Sequence, residues 1–139
     1  MGTAIGKVLR EYFRTLVPEE TVSSSLFALA ETSHVLCRLK GPEFAREKIH
    51  DILASRVVEV SNSTEFALQT GKLKCERTIS LSYCSCLATA RLNKGKAVFA
   101  FREKELLREM RKKAFDVDVV FLEDMAARIG IVDDRRSLR

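Results

Sequence analysis

Four short segments set acidic or hydroxyl side chains after or near the ends of predicted strands. They are Ser24–Glu31 (SSLFALAE), Leu81–Ala90 (LSYCSCLATA), Ala97–Leu106 (AVFAFREKEL) and Leu122-Glu123-Asp124. In open parallel α/β sheets, sites form at the carboxyl ends of the strands, so these junctions are where chemistry is expected. Sulfur and imidazole chemistry fits less well. The cysteines are Cys37, Cys75, Cys84 and Cys86, and the histidines only His34 and His50. Cys84-Ser85-Cys86 has one intervening residue where a zinc site wants C-x-x-C and a second matching pair. Disulfides would need a secretory context, which nothing in the sequence suggests. Free thiols are expected.

The elements that must position these segments follow from periodicity. Ile5, Val8, Leu9, Tyr12, Phe13 and Leu16 recur at helical spacing over 4–16, and Pro18 is expected to end that helix. An extended segment at 21–24 precedes a helix over 25–39, with Leu26, Leu29, Ala30, Ser33 and Cys37 close to one face. Gly41-Pro42 breaks the chain and opens a helix over 42–54. The β-branched run Val57-Val58-Glu59-Val60 predicts a strand. Asn62-Ser63-Thr64-Glu65 fits a capping box for a helix over 63–75, and Ser82 is the expected N-cap of a helix through Asn93. Lys94-Gly95-Lys96 closes it. A strand at 97–100, a helix over 103–113, a strand at 117–121 and a short helix at 123–129 complete the pattern. Strands separated by one or two helices imply parallel pairing, with helices on both faces. The expected fold is therefore α/β, three layers in α/β/α order around a mostly parallel sheet of about four strands.

The 139 residues suffice for one domain, with a core over about 4–122 and a frayed tail over about 130–139. Hydrophobic residues at 46% and charged ones at 31% mark a globular chain. No apolar run approaches the ~20 residues of a membrane span, and the N-terminus lacks a signal peptide's apolar stretch, so a cytoplasmic protein is expected. The net charge of +5 favours polyanions such as RNA without requiring them. The densest basic run, Arg108–Lys113, reads either as a solvated helix face or as a nucleic-acid patch.

In the order and spacing of its segments, the chain resembles the PIN domains of VapC-type toxin ribonucleases over about 4–122. Ser25–Glu31, Leu81–Ala90 and Val98–Leu106 correspond to the family's three later acid-bearing segments. The resemblance implies a ribonuclease in which clustered carboxylates hold Mg²⁺ or Mn²⁺, which activates water and stabilises charge on the phosphate. Carried over, it implies metal ligation by Glu31 and Glu103, with Ser85 standing where the family has Asp and orienting water. Each has a plainer reading: Glu31 an exposed helix glutamate, Ser85 a first-turn residue, Glu103 a charge at a helix N-terminus. The family also opens on a strand with its first Asp, and nothing before Ala4 resembles it. Either Met1 is an internal methionine of a longer gene, which is the expectation, or the chain is a true truncation that re-pairs its strands. With those acids missing, the activity is expected to be impaired; the alternative is a non-catalytic module that binds RNA or an antitoxin-like protein. A homodimer is expected from apolar surface left by the missing strand.

Overall fold

The structure, a computed structural model, describes residues 4–17, 19–55 and 58–128. The expectations at Met1-Gly2-Thr3, Pro18, Val57 and the tail 130–139 lie outside them. Within the described residues the elements are α1 (Ala4–Arg14), β1 (Val22–Ser25), α2 (Leu26–Lys40), α3 (Pro42–Ser55), β2 (Val58–Ser61), α4 (Thr64–Glu76), α5 (Leu81–Leu92), β3 (Ala97–Phe99), α6 (Lys104–Lys112), β4 (Val119–Phe121) and α7 (Leu122–Arg128). The chain divides into two compact units, one from Thr21 to Gly95, the other from the N-terminal segment through Glu20 and from Lys96 onward.

In the Thr21–Gly95 unit, β1 pairs in parallel with β2, Val22 opposite Val58 and Ser25 opposite Ser61. Helix α5 packs on β1, on α2 and on α4, while α2 and α3 form a hairpin. Gly41 turns that hairpin at φ 90°, a left-handed conformation that a side chain would strain, and its N–H donates to the Cys37 carbonyl at 2.8 Å. Leu73, Ile79, Cys84, Leu87 and Ala88 are buried. In the other unit, β3 pairs in parallel with β4, Ala97 opposite Val119 and Phe99 opposite Phe121. Val8 of α1 packs with Leu122 and Ala126 of α7, flanked by Ile5, Leu9, Tyr12, Val98 and Met125. The amphipathic spacing read over 4–16 is thus what seats α1.

The strands are parallel, as their helical crossovers require. The single sheet of about four strands is not found: among the described residues the ladders are two, each of two strands. Local pattern identifies extended segments of three or four residues, but which edges pair is a long-range choice it does not encode. A correction concerns α5. Its N-cap is Ser80, whose Oγ accepts from the Tyr83 N–H at 3.3 Å, and not Ser82. Ser80 lies three residues before that amide, so Ser82 falls inside the first turn with its hydroxyl available for another partner.

Leu106 is fully buried on α6, whereas Leu39 on α2 is 72% exposed. Leu106→Ala is expected to cost roughly 2–5 kcal/mol in urea denaturation, and Leu39→Ala no more than about 0.5 kcal/mol.

Candidate functional site

At the end of β1, strand passes into helix with no linking residue. Ser25 has extended backbone, φ −95° and ψ 156°, so it is at once the last ladder residue and the N-cap of α2. Its Oγ accepts from the Ala28 N–H at 3.0 Å and lies 3.2 Å from Ser85 Oγ on α5. Ser85 Oγ donates to the Ser82 carbonyl at 2.7 Å, which commits its proton. The proton between the two hydroxyls is therefore that of Ser25. The result is a chain running from the Ala28 amide through Ser25 and Ser85 to the Ser82 carbonyl. Both serines are almost wholly buried, at 2% and 1% exposure, and satisfied as buried hydroxyls must be. One turn on, Thr89 Oγ1 donates to the Ser85 carbonyl at 2.9 Å.

Glu31 stands on the exposed side of α2, and Ser82 Oγ donates to its Oε2 at 2.7 Å. Two of the three residues singled out in the sequence, Glu31 and Ser85, are thus joined through Ser82, one by its hydroxyl and one by its carbonyl. They differ in access. Glu31 faces solvent, while Ser85 is closed into the packing between β1 and α5. Local pattern gives Ser25 no site role and makes Ser82 a cap. The signal for both was the i, i+3 spacing of Ser82 and Ser85 beside a serine-rich strand end.

Glu103 belongs to the other unit. It is the N-cap of α6, half-buried, and its side chain makes no capping hydrogen bond. Its neighbour Arg102 organises that strand end. The Arg102 backbone N–H donates to Glu123 Oε1 at 2.7 Å, and its guanidinium grips Asp124 with two bonds, Nε to Oδ1 at 2.8 Å and Nη2 to Oδ2 at 2.7 Å. The guanidinium carbon also lies 5.4 Å from the centre of the Phe121 ring. The hydrogen bond and charge of Asp124, with a smaller contribution from Glu123, raise the pKa of Arg102 above its ordinary value. The Glu123 N–H closes the junction by donating to the Ala100 carbonyl at 3.1 Å. The terminal segment Leu122-Glu123-Asp124 therefore does lie beside the end of β3, but its acids face an arginine. The segment stands among the four where chemistry is expected, yet local pattern assigns neither acid a partner; Arg102, one residue before Glu103, is the available clue.

A bound Mg²⁺ or Mn²⁺ would need several hard oxygens converging on one point. Glu31 comes with a serine hydroxyl, and Asp124 and Glu123 are engaged by Arg102. Among the described residues, no group of three or more His, Cys, Asp or Glu side chains comes together that could hold a metal ion. The donor set described does not make a strong metal centre.

A solved structure has the same architecture: one chain of the VapBC-1 structure from nontypeable Haemophilus influenzae matches with a TM-score of 0.60. This chain shares its fold with VapBC-1. The match covers 84% of this chain and 85% of that one at 19% sequence identity. The mixed α/β architecture expected from the sequence is thus found in VapBC-1. No protein-family model matches the sequence, and no curated protein does. No helix among the described residues is long and apolar enough to cross a membrane.

The buried hydroxyl chain is testable by a double-mutant cycle. Ser25→Ala and Ser85→Ala are each expected to cost about 1–2 kcal/mol in urea denaturation, through a missing cap and an orphaned hydroxyl. The double variant should cost less than their sum by at least about 0.5 kcal/mol. Strict additivity would show that the two hydroxyls do not interact.

Proposed function

We propose that this chain is a PIN-like protein of the VapC type that acts on RNA, with an impaired capacity for metal-dependent phosphodiester hydrolysis. The observation that carries this reading is the fold shared with VapBC-1 over most of both chains. Within it, Glu31 and Glu103 are what remains of the family's acidic ligands. Any Mg²⁺ or Mn²⁺ that either one meets is held weakly, since a single carboxylate binds such ions poorly. Ser85 supplies no charge where the resemblance implies Asp. Its hydroxyl is committed to Ser25 and the Ser82 carbonyl, so its part is to hold α5 against β1 rather than to orient water.

A second reading is favoured by a different observation, the seating of Arg102 between Glu123 and Asp124. A guanidinium there provides internally the positive charge those acids would otherwise draw from outside. In that reading the chain is a non-catalytic module that binds RNA or a protein partner, either an antitoxin-like chain or a second copy of itself. Phe27, Val35 and Leu39, exposed along α2, offer apolar surface for such a partner.

Incubation of the full chain with single-stranded RNA separates the two. The impaired-nuclease reading expects slow cleavage in Mn²⁺ that chelator abolishes and Glu31→Gln lowers by about tenfold or more. Binding in chelator with no cleavage in Mn²⁺ selects the module. Cleavage indifferent to both chelator and Glu31→Gln overturns the nuclease assignment of these residues.

A further inference from the structure

Helix α6 sorts its charges by face. Lys104, Arg108, Arg111 and Lys112 recur at i, i+4, i+7 and i+8 and are all exposed, with exposed Lys113 following at the C-cap. The helix's acids lie along one border of that face, Glu105 half-buried and Glu109 buried at 3% exposure. At that border Lys112 Nζ lies 3.0 Å from Glu109 Oε2. Leu106, Leu107 and Met110 turn away from the basic face and are buried or partly buried.

Other helices of this protein carry opposite-charge pairs at helical spacing beside same-sign neighbours such as Lys7, Arg10 and Arg14 on α1. Glu11–Arg14 on α1, Glu43–Arg46 and Lys48–Asp51 on α3, and Lys72–Glu76 on α4 are all opposite-charge pairs at i, i+3 or i, i+4. On α6 one such pair, Glu109–Lys112, borders a denser same-sign face: Lys104 with Arg108, and Arg108 with Arg111 and Lys112. Like charges at this spacing repel and destabilise an isolated helix. Complementing the helix dipole explains cations in the last turn, but Lys104 is the first helical residue, at the positive end, where a cation is disfavoured. A solvated face needs no cation at that end.

From this basic face we infer that α6 is the docking surface for the phosphate backbone of a nucleic acid. At 1.5 Å per residue the row from Lys104 to Lys112 extends about 12 Å, long enough to meet several consecutive phosphates. Lysine and arginine contacts of this kind hold the backbone without reading bases, so binding is tolerant of sequence. An anionic membrane surface would want an apolar row beside the cations to insert; the apolar residues of α6 are instead packed into the protein. The inference rests on the RNA-acting reading above and adds where the backbone is held.

The test is fluorescence anisotropy on the full chain in chelator, so that binding is read apart from cleavage. The probes are a labelled oligouridine RNA and an oligothymidine DNA of equal length. Arg108→Gln with Arg111→Gln is compared with Arg46→Gln and Lys48→Gln on α3, which removes the same charge elsewhere. Far-UV circular dichroism verifies that both doubles are folded. The α6 double is expected to bind both probes about tenfold or more weakly near 0.1 M salt. Its log–log salt slope should fall by about 1.4, roughly 0.7 for each phosphate no longer neutralised. The α3 double should match wild type. Equal losses in the two doubles, or none in α6, overturn the inference while leaving RNA binding intact. Failure of wild type to bind either probe sinks both it and the RNA-acting reading. So does capture by phosphatidylserine vesicles in place of nucleic acid.

Discussion

The junction at Ser25 constrains everything around it in the Thr21–Gly95 unit. A strand that enters a helix without a linker has one residue in which to end a ladder, cap a helix and meet whatever packs above. Only a short side chain that both accepts and donates can do all three. Ser25 accepts from the Ala28 amide and donates to Ser85, and this sets α5 over β1. The position of α5 in turn brings Ser82 to Glu31. Remove the hydroxyl and the cap, the helix packing and the placement of the acid lose a common support.

The two units reach a similar electrostatic outcome by different means. At the end of β1 the carboxylate of Glu31 is met by a neutral hydroxyl. At the ends of β3 and β4, Asp124 and Glu123 are met by a guanidinium and a backbone amide. A strand end lined with carboxylates attracts cations, and here the chain supplies its own donors. The pair of Arg102 and Asp124 is half-exposed, at 50% and 38%, so its value lies more in orientation and local charge than in stability.

Much of the scaffold was legible in the residues. The 3.6-residue spacing of Ile5, Val8, Leu9 and Tyr12, the break at Gly41-Pro42, and the β-branched runs at 58–60 and 119–120 are local signals, and each located its element. Pairing was less legible. A three-residue strand such as Ala97–Phe99 says that it is extended, while its neighbour is chosen by chain segments far away in sequence. The helix start near Ser82 failed because Ser80 and Ser82 are both good caps, and only tertiary packing tells which hydroxyl is drawn off to a carboxylate. At the candidate site the sequence singled out Glu31, but the hydroxyl partnership of Ser25 with Ser85 spans sixty residues. The role of Arg102 was hidden for the same reason, its partners lying more than twenty residues ahead.

Glu31, Glu123 and Asp124 each accept from the protein's own donors, and from this we propose weak affinity for a divalent cation. Titration of the full chain with Mn²⁺, followed by water proton relaxation or calorimetry, tests it most directly. No saturable binding tighter than on the order of millimolar, the range of weak oxygen-ligand sites, is expected. A saturable micromolar site abolished by Glu31→Gln would contradict it.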